Sequence, residues 1–347
     1  MSQIIFCNNS LLYEYAIKKY SITQKNRSHI VFLSQLIRLG NFFTNSPLLT
    51  LIDRTIGNEY FNYDYTPLPK DYITTLSFDD VCLSVAKELW KENDRIAIFW
   101  SGGIDSTVAL VALIMTNDDW QKSLVIYCSK RSIENEYPYF YNEILKKSNV
   151  EIKILDFENF YKKELFDDLY VTDGNCGDWI WACNAAKRYD KFDSSYNVII
   201  NKFPSMKKYC YNLIEKCPVK ITTAFDLSWW LAFNYRWDYN KIAHGLRIDD
   251  LNYLYAVKPF FCHDLFQKWS MSNPDKKIKD KWNTYKWPAK DFIFRFTGDN
   301  YYRVNKLQKN SISHPAVKYE CIIKDENGLH SVTSQDAFEM CINLQSE

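Results

Sequence analysis

Glycine is scarce in this chain, at 9 of 347 residues; proline contributes 10 and histidine 5. No internal repeat and no low-complexity run is present, which argues against a solenoid, a fibrous array or a long flexible linker. None of the ten cysteines forms a Cys-x-x-Cys pair, and no two histidines stand at ligand spacing, so a zinc-ribbon or zinc-finger site is not expected. Cys176 and Cys183 are spaced for a helical core, as are Cys210 and Cys217. Together they read as reduced intracellular thiols. Charge of one sign is also lacking. Lys and Arg total 43 against 42 Asp and Glu, so no strong field points to nucleic acid or an anionic membrane surface. No apolar run approaches the ~18 residues that would cross a bilayer. Residues 1–9 lack the charged-then-apolar pattern of a signal peptide, so the expectation is a cytoplasmic protein without a membrane partner.

What the sequence does have is a hydrophobic content of 47% and 58 aromatic residues (25 Tyr, 22 Phe, 11 Trp), read first as packing rather than as a stacking platform. Three regions are expected: a short N-terminal part over residues 1–75, an α/β domain over 76–320 and a C-terminal tail over 321–347. The prolines of Tyr65-Thr66-Pro67-Leu68-Pro69-Lys70 mark the first boundary. Residues 28–39 suit a helix or a buried strand equally well. From 78 to 92 the apolar positions Val81, Val85, Ala86 and Leu89 share one helical face. The strand Ile96-Ala97-Ile98-Phe99-Trp100 follows, then a loop and a helix through Val108, Val111, Ala112 and Met115. A second strand is expected over 124–128, a helix over 139–147 and a third strand over 151–155. This βαβαβ order predicts a parallel sheet flanked by helices, with ligands beyond the carboxyl ends of its strands. Residues 181 onward read as largely helical; Cys321-Ile322-Ile323 suggests a short strand and Asn327-Gly328 a turn.

The loop Ser101-Gly102-Gly103-Ile104-Asp105-Ser106 carries the sharpest chemistry. Two glycines at the end of a buried strand permit close backbone approach. The helix that begins at once directs free amide N–H groups and its positive dipole end at the loop, which makes an anion site. Ser101, Ser106 and Thr107 add hydroxyls. Asp105 would repel a bare phosphate but suits a Mg²⁺ bridging to one. The loop lacks both Gly-x-x-x-x-Gly-Lys-Ser/Thr and Gly-x-Gly-x-x-Gly.

It matches Ser-Gly-Gly-x-Asp-Ser and so resembles the pyrophosphate-binding PP-loop of the N-type ATP pyrophosphatases, whose fold is of the adenine nucleotide alpha hydrolase kind. Further segments follow in the order of the asparagine synthetase family's synthetase domain. Thr172-Asp173-Gly174-Asn175-Cys176-Gly177-Asp178-Trp179 resembles its Thr-Gly-Glu-Gly-x-Asp-Glu segment, and Ala243-His244-Gly245-Leu246 its Ala-x-Gly-hydrophobic stretch. Lys258-Pro259-Phe260-Phe261 is similar to its Arg-Val-Pro-Phe-Leu-Asp, and Lys286-Trp287-Pro288-Ala289-Lys290 to its Lys-x-x-Leu-Arg. Arg303 and Lys306 match a late basic pair. β-Lactam synthetases and lasso-peptide cyclases are relatives of the same family.

The resemblance implies roles. Asp105 and Asp178 would hold Mg²⁺ on ATP and pyrophosphate; Ser101, Gly102, Gly103, Ser106 and Thr107 would bind the nucleotide. Lys286, or Lys290 in a shifted register, would stabilise charge at the reacting centre. His244 and His263 read as structural, and Cys176 as packing, since its motif holds no histidine to activate a nucleophile. The chain departs from the family at Asn175, where the family has a glutamate, at Cys176 and at Trp179. The family arginine is missing before Pro259, and residues 247–257 look inserted. These changes argue against aspartate as the substrate. The family's glutaminase needs an exposed N-terminal cysteine and a domain larger than 75 residues; here residue 2 is Ser2 and the first thiol is Cys7. The expected activity is an ATP-dependent ligase that adenylylates a small carboxylate, releases pyrophosphate and forms an amide with an amine or ammonia. The amine would come from free ammonia, the substrate itself or a separate partner; a homo-oligomer is compatible with this scheme. Two alternatives stay open: a PP-loop enzyme acting on a nucleobase, RNA or other amide oxygen, and a nucleotide-binding pseudoenzyme.

Overall fold

The computed structural model describes residues 2–20, 33–39, 50–55, 57, 60–182, 191–202, 204, 207–273, 277–279, 284–305 and 316–342. Among these residues seven strands follow in chain order: β1 (Gln3–Cys7), β2 (Ile96–Phe99), β3 (Leu124–Cys128), β4 (Glu151–Ile154), β5 (Tyr170–Asp173), β6 (Cys321–Asp325) and β7 (Gly328–Val332). The helices used below are α1 (Asn9–Tyr20), α2 (Phe78–Glu92), α3 (Ile104–Met115), α4 (Gly177–Trp181), α5 (Ala224–Tyr235), α6 (Asp264–Ser272), α7 (Trp287–Thr297) and α8 (Ser334–Cys341). Two compact units result. One comprises Met1–Leu68, Ala182–Asn240 and Val317–Glu347, the other Pro69–Trp181 and Lys241–Ala316.

In the first unit β1, β6 and β7 form an antiparallel sheet in the order β1-β6-β7. The turn expected at Asn327-Gly328 joins β6 to β7, with Gly328 at φ +108 where a side chain is disfavoured. Ile4, Cys7, Leu12, Phe61, Cys321 and Phe338 are all fully buried in a core that the helices α1 and α8 help to close. Residues 33–39 are helical, which decides the ambiguous stretch there; residues 28–32 lie outside the described residues. The buried Arg54 donates to the carbonyls of Phe233 and Thr66, and its guanidinium lies 4.7 Å from the centre of the Trp237 ring. Carbonyl dipoles and a π-face thus help to meet its charge.

The second unit is α/β, with a four-stranded parallel sheet in the order β4-β3-β2-β5. Every side chain of β2 is buried, as a strand covered on both faces requires. Its register sets Phe99 beside Tyr127 on β3 and beside Asp173 on β5. On one face Ala97, Phe99, Val125, Tyr127 and Val171 pack with Phe166, Ile248 and Val257. Alternation turns Ile96 and Ile98 to the other face. Helix α2 begins with a capping box, in which Ser77 accepts from the Asp80 amide and the Asp80 carboxylate accepts from the Ser77 amide. It packs against α3, and α7 packs against both. In place of the helix expected over 139–147 stand a short α-helical turn, Pro138–Phe140, and wider helical turns over Tyr141–Leu145.

Strand β5 does not stand out in the sequence: it has four residues and ends in Thr172 and Asp173, with no apolar alternation. Its place matters most for the site. From β2 the chain moves outward through β3 to β4, then returns to put β5 on the other side of β2. The strand order therefore reverses at β2, which leaves the carboxyl ends of β2 and β5 side by side. Crevices at such switch points are where open α/β sheets bind ligands.

Candidate functional site

The loop after β2 is built by its own hydroxyls. The Trp100 amide donates to the Tyr127 carbonyl at 2.8 Å and keeps the strand in the sheet for one more residue. The buried Trp100 indole donates to Thr107 Oγ1 at 3.1 Å, tying the start of α3 to the end of β2. Thr107 is fully buried and acts beneath the loop. Ser101 Oγ lies 2.9 Å from Ser106 Oγ and accepts from the Gly103 amide at 3.2 Å. Gly103 is the N-cap of α3 and makes no side-chain cap bond to its first turn. Gly102 sits at φ +76, and a Cβ there would stand 2.6 Å from Glu136 Cβ and 2.9 Å from the Ser132 carbonyl oxygen. No other residue fits. Tyr302 donates its hydroxyl to the Gly102 carbonyl at 3.1 Å and stacks on Tyr137, with ring centres 3.7 Å apart.

The segment leaving β5 lies directly on this loop. A Cβ on Gly174 would come within 2.5 Å of the Ser106 amide nitrogen, and one on Gly177 within 2.5 Å of Asp105 Cγ. Both glycines are therefore contact residues. Between them Cys176 adopts φ +65, a left-handed conformation that costs a non-glycine residue about 1 kcal/mol or more. This path brings Asp178, in the first turn of α4, to the same place as Asp105.

Lys286 closes the site. It too is left-handed, at φ 61 and ψ 29, at the N-cap of α7, where the following Pro288 suits the first turn. Its ammonium lies 2.5 Å from Asp105 Oδ2 and 2.6 Å from Asp178 Oδ1. The Lys286 side chain is 5% exposed, that of Asp105 19% and that of Asp178 45%, so attraction to Asp105 is the less screened of the two. Burial works against the charged ammonium, but the two carboxylates outweigh it and hold the Lys286 pKa above the ordinary lysine value. Lys290, the alternative lysine, is buried one turn further along α7.

Two groups absent from the sequence expectation belong to this neighbourhood. Asp173, at the carboxyl end of β5, is buried, and burial pushes its carboxyl up to about 7 against the pull of hydrogen bonds from Asn175. Asn175 donates both its amide, at 2.9 Å, and its side-chain nitrogen, at 2.5 Å, to that carboxylate. Asn175 is thus committed to a neighbouring acid. Tyr302 is the other, and no local pattern announces it, since its role comes from packing across the unit.

The remaining residues singled out in the sequence lie apart from the acid–lysine cluster. His244 bonds the Phe160 carbonyl at 2.9 Å and stacks on Phe99. His263 accepts from the Leu265 amide to cap α6 and meets Glu88 at 3.3 Å. Both are held in structural roles. Gly245 packs on the Leu254 carbonyl, and Arg303 pairs with Asp291 at 2.7 Å. Lys306 and Cys183 lie outside the described residues. Among the described residues no helix is long and apolar enough to cross a membrane, and no group of three or more His, Cys, Asp or Glu is placed to hold a metal. Neither family models nor curated proteins give a match to this chain.

Proposed function

We propose that the second unit binds ATP with Mg²⁺ at the 101–106 loop and belongs to the PP-loop class. Within that class, we infer an amide-forming ligase of the asparagine synthetase kind. The observation that carries this reading is the convergence of Asp105 and Asp178 on one buried ammonium, beside a helix start without a side-chain cap.

The residues present fit the metal that the reading implies. Mg²⁺ takes few protein ligands when it travels with a nucleotide: one or two carboxylates, with phosphate oxygens and water completing the octahedron. Two acids at the mouth of an anion site meet that need, and a third is not required. When bound, the metal would neutralise charge on the polyphosphate. The rest falls to the chain. Ser101, Ser106 and the first-turn amides of α3 bind the phosphates that leave as pyrophosphate. The Lys286 ammonium stabilises negative charge developing on the transferring group. The substrate carboxylate oxygen forms a bond to the α-phosphorus as the bond to the β-phosphate oxygen breaks. Amine attack on the acyl carbon then expels AMP and leaves an amide.

ATP labelled at the α-phosphate tests the scheme, presented with a panel of amino acids and small carboxylic acids. Label in AMP, with pyrophosphate formed in step, is the expected result. Label in ADP rejects it. ATP turnover stimulated only by a nucleic acid would move the activity to base modification.

A further inference from the structure

Cys176 and Cys262, 86 residues apart in the chain, place their Sγ atoms 3.1 Å from each other. Both are free thiols. This separation is shorter than ordinary contact between two sulfurs and needs a shift of only about 1 Å to reach the ~2.05 Å of a disulfide. The two positions differ in access. Cys176 is 2% exposed, whereas Cys262 is half-buried and lines a cavity of about 300 Å³ walled by Val85, Leu89, Tyr170 and Phe260. One thiol is therefore reachable by a small molecule and the other waits directly behind it. That is the arrangement of an attacking and a resolving cysteine.

We propose that Cys176 and Cys262 form a reversible disulfide site whose oxidant is a low-molecular-weight disulfide, RSSR, entering through this cavity. Cys262, as thiolate, attacks one sulfur of RSSR; the new S–S bond forms as RS⁻ leaves and takes up a proton. Cys176 then attacks Cys262 Sγ, forms the intramolecular bond and expels the second RS⁻, which is protonated in turn. The balance is two protein thiols and one RSSR giving one protein disulfide and two RSH; the protein loses two electrons and two protons and RSSR gains them.

The position gives the bond a consequence. Cys176 is the left-handed residue between Gly174 and Gly177, two residues before Asp178. Cys262 follows Phe260 and Phe261, which are buried. A covalent tie between them fixes the segment that carries Asp178 to the 260–262 turn. The thiol chemistry itself does not depend on the reaction proposed above.

The test uses the native full-length chain incubated with oxidised glutathione, quenched with acid, denatured, alkylated and mapped by mass spectrometry. The expected result is a cross-linked peptide pair joining Cys176 and Cys262, about 2 Da lighter than the reduced pair and restored by dithiothreitol. In Cys176→Ser the reaction stops at a glutathione adduct on Cys262; in Cys262→Ser Cys176 stays unmodified at the same exposure. Recovery of both thiols fully alkylated in the native chain overturns the proposal. So does a stable glutathione adduct on native Cys262 that never resolves, or bridging of either cysteine to a different partner.

Discussion

Gly177 lies against Asp105 so closely that a Cβ on the glycine would stand 2.5 Å from the aspartate's Cγ. The contact joins the two segments that the account treats as one site. Gly177→Ala must displace the Asp105 carboxylate or open the 174–178 segment, since the clash is with a short side chain held at both ends. The expected cost is about 1–3 kcal/mol of stability and at least a tenfold loss of Mg·ATP affinity. Gly298→Ala is the control: Gly298 is left-handed, at φ +70, but nothing lies within 4 Å of its missing Cβ. It should lose stability by about 1 kcal/mol and keep nucleotide affinity. Urea titration and calorimetry separate the two variants.

Lys286→Met removes the ammonium and leaves Asp105 and Asp178 facing each other. Breaking a buried pair this way costs several kcal/mol, but Asp178 is 45% exposed and partly screened, so about 1–3 kcal/mol is expected. Carboxylate-stimulated pyrophosphate release should fall by roughly a hundredfold or more, as for loss of a charge-stabilising group in a closed site. A variant that is destabilised yet fully active would leave Lys286 a purely structural role.

Asp173 predicts a pH dependence. Its folded pKa of about 7 is above the ordinary carboxylate value of 3.8, so the native state binds the proton more tightly than the unfolded chain. The protonated carboxyl therefore favours folding; its contribution is complete below the unfolded pKa and is lost as pH rises through about 7. Native chain should lose stability relative to Asp173→Asn between about pH 4 and pH 8, by on the order of a few kcal/mol in total. Urea unfolding of both proteins across that range measures the difference. A constant difference would mean Asp173 titrates normally.

The α/β order and part of the candidate site are legible in the sequence. The strands around Ile98 and Ile126 are continuous apolar runs, and the pair Gly102-Gly103 at a strand end has few structural explanations other than close backbone approach. The resemblance singles out Asp178 and Lys286, and the structure brings both to Asp105. Other features were hidden because their signals are not local. Strand β5 is polar at its end and is defined by pairing with β2, while Tyr302 reaches Gly102 only through the packing of its own unit. The closeness of Cys176 to Cys262 likewise depends on where the 260–262 turn falls against the 174–178 segment. Asn175 illustrates the limit of motif reading: its departure from glutamate was visible, but not its commitment to a buried Asp173.

The central claim is that two acids and an uncapped helix start at the end of β2 hold Mg·ATP. Isothermal titration of ATP into the native chain and into Asp105→Asn, each with and without Mg²⁺, addresses it directly. The account predicts saturable binding by the native chain that requires Mg²⁺ and weakens at least tenfold in the variant. No measurable heat with the native chain, or equal affinity in both proteins, would contradict it.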